Sequence, residues 1–367
     1  MANGSDPIRE PMKGRFVINL DDAGDHLVGS AWVIETGSQQ PAVFADLSAA
    51  PIPKDKNHFN LTVPLSTRPH QWDGQLPTTA ETEWKVQNEQ IVISWNTDIQ
   101  TRGTATVDKS EGDRASVLKS MSKITNRDKF RRFARELEPY RFVFRGQRRN
   151  DWRLRTSFHR TKRSSLHIYD QQDIPYLHGQ FSGMMKRDLD IRDPTHLAAF
   201  YNLLQHHGYP TPLLDWTYSP FVAAYFAFNS AGHDNDNVPV RFFVLDKKNW
   251  LKDFNSISQV NPPGLHFSML DPLPLNNPRA IPQKAASSLT NVEDIETYLA
   301  TREAENSKEY LSAIDLPSEE RDVVMRELNL MGIPTGSLFP GIDGVCEQAR
   351  ALHLNLQARR SRCLCIN

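Results

Sequence analysis

Near residue 108 the apolar residues change their spacing, and that change constrains the architecture more than any single motif does. Residues 15–20, 26–34, 58–64, 83–86, 90–95 and 103–107 are short runs in which apolar or β-branched side chains alternate with polar ones between turn residues. Such a series predicts a small antiparallel sandwich or barrel over residues 1–108. Residues 109–116 are polar and act as a joint. Beyond 117 helical spacing takes over, with helices predicted over 197–204, 221–228, 292–300, 318–330 and 341–351 and a strand over 238–245. Thr290 or Asn291 opens the third of these helices. The class is α+β, with a β-rich recognition or oligomerisation domain ahead of a mixed domain at 117–367. With 367 residues, 39% of them apolar, the chain can bury two cores.

A formal net charge of -1 gives no global attraction to nucleic acid or to anionic lipid. The basic residues between Lys123 and Arg135 alternate with Phe130 and Phe133 at helical spacing, so they form the solvated face of an amphipathic helix capped by Thr125 or Asn126. Neither nucleic acid nor membrane is therefore an expected partner. The first residues lack a basic start and an apolar core of leader type, and Cys346, Cys363 and Cys365 lack zinc-site spacing, so a reduced cytoplasmic setting without a bound metal is expected. Asp234, Asn235, Asp236 and Asn237 lack the spaced Gly and final Glu of an EF-hand and read as a surface turn. Trp32, Trp72, Trp84 and Trp95 could line a ligand pocket or a partner surface, but four Trp in such a β domain read first as core and edge packing, and that domain is where a protein partner would bind.

Chemistry concentrates in two blocks. Residues 205–221 read Gln-His-His-Gly-Tyr-Pro-Thr-Pro-Leu-Leu-Asp-Trp-Thr-Tyr-Ser-Pro-Phe, a polar loop that leads into the N-terminus of a buried helix with Pro220 in its first turn. A helix start offers free N–H groups to phosphate, while Asp215 could equally cap the helix through Thr217 and Ser219. Residues 140–147 read Tyr-Arg-Phe-Val-Phe-Arg-Gly-Gln, followed by residues 152–160; the first run is a strand that ends on Arg145, with Gly146 where the backbone turns sharply or meets a ligand closely. The Arg145 fork can hold phosphate or carboxylate, with Arg160 as a second guanidinium, or it can be a buried Arg tied to Asp215 or to carbonyls.

Phe144-Arg145-Gly146-Gln147, Trp152-Arg153-Leu154, Ser157-Phe158-His159-Arg160, Gln205-His206-His207-Gly208 and Leu213-Leu214-Asp215-Trp216-Thr217 together resemble the FRG domain, named for its Phe-Arg-Gly motif. Asn277-Pro278-Arg279 with Gln283, residues 326–333 and residues 337–344 resemble its later segments. Where that family tends to carry Gln-x-Gly-x-Phe, this chain has Gln283-Lys-Ala-Ala-Ser287. The strand-closing Arg145 also resembles the opening motif of the Arg-type ADP-ribosyltransferases. That likeness implies NAD as the substrate, in an ADP-ribosyltransferase or a NAD-consuming toxin or phage-defence effector. Arg145, Gly146, Gln147, Arg160 and Thr217 would then face the nucleotide, and His206, His207, Asp215 and Gln283 the reacting bond, with Glu293 a further acid in reach of that role. The other open reading is a non-catalytic ligand-binding sensor or adaptor.

Overall fold

The computed structural model describes residues 13–361 apart from 25, 37–40, 48–49, 52–56, 69–74, 185–188, 230–236, 272 and 276. Trp72, Asp234, Asn235, Asp236, Cys363 and Cys365 lie outside the described residues. Eight strands open the chain: β1 (Gly14–Asp22), β2 (His26–Glu35), β3 (Ala42–Asp46), β4 (Ala50–Pro51), β5 (His58–Arg68), β6 (Thr79–Gln87), β7 (Gln90–Thr97) and β8 (Arg102–Asp108). Then come α1 (Arg127–Glu136), β9 (Phe142–Gln147), α2 (Ser157–Arg160), α3 (Leu166–Ile168), α4 (Ile174–Ser182), α5 (Pro194–His206), β10 (Leu213–Thr217), α6 (Pro220–Asn229), β11 (Val240–Asp246) and α7 (Lys247–Asp253). The remaining elements are β12 (Phe267–Leu270), β13 (Ala285–Thr290), α8 (Ile295–Asn306), β14 (Leu311–Leu316), α9 (Arg321–Leu330), α10 (Thr335–Leu338) and α11 (Ile342–Ser361). Among the described residues no helix is long and apolar enough to cross a membrane.

The chain divides into two compact units, the first made of Met1–Ser110, Lys162–Met185 and Gln259–His266, the second of Glu111–Thr161, Lys186–Ser258 and Phe267–Asn367. In the first unit one antiparallel sheet runs β1-β2-β3-β5-β6-β7-β8, with β4 beside β2, and its end strands β1 and β8 approach each other so that it is nearly a barrel. Strict alternation drives it: along β6, Ala80, Thr82 and Trp84 are buried while Thr79, Glu81 and Lys85 are exposed. Trp32 and Trp84 are core residues, as their sequence pattern predicts. The Lys162–Met185 segment buries Leu166, Tyr169 and Ile174 and is capped by Asp21, whose carboxylate accepts from the Ser164 and Ser165 N–H groups at 2.6 and 3.0 Å.

The second unit is built on an antiparallel sheet of order β12-β13-β10-β9-β11-β14. β11 is buried at every position, because helices cover both sides of the sheet centre. One face packs Phe144, Phe242 and Val244 against Val222, Ala223 and Phe228 of α6; the other packs Val143, Phe243 and Leu245 against Trp250 of α7 and Ile295 and Leu299 of α8. Residues 213–217, which in sequence form part of a loop, are instead the strand β10, paired with β13 along its length and with β9 at Thr217 and Phe144. Two buried leucines and Trp216 outweigh the turn residues before them. Thr290 closes β13, so the cap of α8 is not Thr290 or Asn291 but Asp294, whose carboxylate accepts from Thr297 N–H at 3.2 Å. From Glu111 on, the polar joint is pinned: Ser116 N–H donates to the Asp151 carbonyl at 2.9 Å, and its hydroxyl donates to Glu296 at 2.7 Å.

Gly146 fixes how closely α6 can lie on β9. A Cβ at this position would stand 2.0 Å from the Ala223 carbonyl oxygen and 2.8 Å from the Ala227 amide nitrogen, both of them backbone atoms with nowhere to move. We expect Gly146→Ala to lower stability by about 3 kcal/mol or more, which a denaturation midpoint measures directly. A 117–367 fragment should keep its own sheet but lose the partners of the Lys162–Met185 segment. Limited proteolysis of that fragment is expected to cut first within this segment.

Candidate functional site

A buried threonine ties the 205–221 block to the Ser157–Arg160 motif. Thr211 N–H donates to Ser157 Oγ at 2.9 Å, its carbonyl accepts from Phe158 N–H at 3.1 Å, and its hydroxyl donates to the Gln205 side chain. These bonds staple α2 to the turn between α5 and β10. His206 ends α5, exposed His207 is its C-terminal cap, and Gly208 at φ +84° supplies the left-handed residue that swings the chain into β10. Arg145 then reaches from β9 to the same place, one guanidinium N–H donating to the Asp215 carbonyl at 2.7 Å.

The charges of this cluster act on one another. Burial pushes the Arg145 guanidinium down to about 10; the Asp215 carboxylate opposes that fall and Arg160 adds to it. Arg145 stays cationic at neutral pH. Arg160 is also lowered by burial, then by Arg155, against the pull of Asp215, and it donates to the Arg155 carbonyl at 2.8 Å. Burial holds the His206 imidazole below its ordinary value; Asp215 opposes this, while Arg279 and His207 reinforce it. His206 is therefore mainly neutral at pH 7. Asp215 thus acts on Arg145, Arg160 and His206, Arg279 acts on His206, and the cations gathered around that carboxylate suit an anion.

Arg279 enters through a core contact that sequence spacing does not reveal. Asn277 donates from its side-chain amide to Asn202 of α5 at 2.6 Å, its own Oδ1 accepts from Arg279 N–H at 3.1 Å, and the Arg279 guanidinium stands 5.3 Å from the centre of the Phe339 ring. Arg155 is likewise a residue to which the sequence assigns no role. It forms an ion pair with Glu293, which places that acid on a cation. Other candidates have structural partners. Thr217 donates to the Gln283 carbonyl at 2.7 Å and accepts from Ser219 N–H at 3.0 Å, and Ser219 Oγ accepts from Val222 N–H at 3.3 Å, so Ser219, not Asp215, caps α6. Gln283 donates to the Leu338 carbonyl at 3.0 Å. Gly146 is covered by α6, and Gln147 lies on the opposite face of the sheet beside Arg241. Among the described residues no three His, Cys, Asp or Glu side chains gather as a metal-binding group.

His159 of the Ser157–Arg160 motif is a core histidine, its Nδ1 2.7 Å from Thr156 Oγ1 and its imidazole pushed down to about 3 by burial and then by Arg155. In the first unit burial pushes His266 down to about 4. Between those values and about 6.5 the unfolded chain binds protons that the folded chain does not, so stability falls as pH drops through that window. Denaturation midpoints at pH 7, 5 and 4 should fall in that order, and His159→Gln should flatten the decline.

Residues 140–236 match the family model described as FRG domain, a span that holds Arg145, Arg160, His206 and Asp215 and stops before Arg279 and Gln283. Comparison with curated proteins and with solved structures gives no match. Arg145 does not end its strand, because β9 runs on through Gly146 to Gln147 under α6; Arg145, Gly146, the buried turn and Asp215 are all carried within that span, and the chain contains an FRG domain at residues 140–236.

Proposed function

We propose that the FRG-bearing unit binds a phosphorylated ribose of the NAD type and cleaves the bond between its ribose and nicotinamide, as an ADP-ribosyltransferase or NAD glycohydrolase acting as a toxin or phage-defence effector. The observation that carries this reading is the gathering of Arg145, Arg160 and His206 about the Asp215 carboxylate, with Arg145 bonded to the Asp215 carbonyl and Arg279 acting on His206. Fork donors match phosphate oxygens, and a neutral imidazole with a carboxylate matches ribose hydroxyls. In this scheme Arg145 and Arg160 hold the pyrophosphate. Asp215 stabilises the positive charge that develops on the ribose as the C–N bond breaks and its electron pair leaves on nicotinamide. Neutral His206 takes the proton from the attacking water or acceptor hydroxyl. His206 suits this better than His207, because His207 is exposed and its backbone closes α5. Thr217 and Gln283 act by holding β10 and the 277–283 turn in place.

Calorimetry with NAD, nicotinamide release and transfer of labelled ADP-ribose test the reading together. Arg145→Ala should weaken NAD binding about tenfold or more, whereas Asp215→Asn and His206→Ala should slow turnover about a hundredfold with a smaller change in affinity. Since His206 works as its neutral form and its proton affinity is lowered, the rate should hold from pH 7.5 to about 6.5 and decline only at lower pH. Binding without turnover, with a lysate present to supply an acceptor or trigger, would favour the sensor or adaptor. No binding at all would overturn the nucleotide reading.

A further inference from the structure

Two buried polar atoms on one face of β9 have no hydrogen-bond partner. Arg145 Nε is one and Gln147 Oε1 is the other. In the register with β11, Arg145 pairs with Phe243 and Gln147 with Arg241, so both side chains leave the sheet on the side of Val143, Phe243 and Trp250, away from α6. Gln147 is only 6% exposed. Its neighbour Arg241 cannot serve it: the Arg241 guanidinium is committed to both oxygens of Asp315, each at 2.8 Å, and to Ser116 Oγ at 2.7 Å.

An unpaired buried donor or acceptor costs about 1–3 kcal/mol, and here one of each stands two residues apart on the same face of one strand. A ligand that completes this pair must give an acceptor to the Arg145 N–H and a donor to the Gln147 oxygen. Phosphate offers acceptors only. A primary carboxamide offers both, its carbonyl accepting and its NH2 donating. We propose that Arg145 Nε and Gln147 Oε1 together read the carboxamide of the ligand's nicotinamide, so that Gln147 is a specificity residue for NAD over nucleotides that lack that ring. This rests on the NAD reading above: the Nη atoms of Arg145 remain for the pyrophosphate, while its Nε, with Gln147, reads the part of the substrate that the phosphate contacts do not reach.

Gln147→Leu separates the two ideas, with NAD and ADP-ribose as the calorimetric probes. ADP-ribose carries the same phosphates and riboses without the carboxamide. The variant should lose about tenfold in NAD affinity while its affinity for ADP-ribose stays within about twofold. Its Tm should be unchanged or higher, because an apolar side chain replaces a buried oxygen that has no partner in the free protein. Equal losses for the two ligands, as a ribose hydroxyl contact would give, or no loss for either, would overturn the carboxamide assignment and leave the phosphate reading intact. A fall in Tm with loss of both ligands, repeated in Gln147→Met, would make Gln147 a structural residue and overturn it as well. If the wild-type chain binds neither ligand, the nucleotide reading fails first and this inference fails with it.

Discussion

The backbone-to-backbone approach of α6 to β9 over Gly146 is the constraint on which the rest of the second unit depends. Ala223 and Ala227 present a helix surface with almost no side chain, and Gly146 removes the one Cβ that would hold it off. With that contact made, Phe144, Phe228 and Phe242 close one side of the sheet, and the direction of every other β9 side chain follows from the pleat. Val143, Arg145 and Gln147 must then leave on the far side. The Phe-Arg-Gly signature is thus one geometric statement: the Gly seats the helix, and seating the helix aims the Arg.

Electrostatics decide what the aimed Arg can do. A guanidinium this far removed from water is costly to keep charged, and its own chain gives it one carbonyl, one distant carboxylate and the opposing field of Arg160. Two buried cations of the same unit, Arg153 and Arg241, are closed onto carboxylates. Arg153 forks onto Asp294 at 2.8 and 3.0 Å, and Arg241 onto Asp315. Against those closed pairs, Arg145 within β9 bonds a carbonyl and keeps a buried Nε without a partner.

The β-rich opening is legible because its strands alternate cleanly, and Asn126 announces α1 through its bond to Lys129 N–H at 3.0 Å. What escapes pattern reading is short or covered on both faces. β3 has only five residues, and β13 reads Ala-Ala-Ser-Ser-Leu-Thr, whose small polar members are buried because Ser288 accepts from the Trp216 indole at 2.9 Å. β10 is masked by the prolines before it and by Asp215 within it. At the site, Arg145, Arg160, His206 and Asp215 are visible as motif residues. Gln283 and Thr217 are visible too, but their side chains turn to main-chain carbonyls. The placement of Arg279 hangs on an amide pair between Asn277 and Asn202, and a contact across that much chain leaves no periodic trace.

The first unit also collects the Lys162–Met185 and Gln259–His266 segments. Trp32 on β2 donates its indole N–H to Asn261 at 3.4 Å, across a separation of 229 residues. During synthesis, then, the opening strands can form hairpins as they leave the ribosome, but the unit they belong to cannot close until residue 266 has emerged. By then the nascent chain already contains β9, β10 and β11. Strands β1 to β8 are made before the FRG segment and completed only after it, so their maturation is timed by the passage of that segment rather than by their own length.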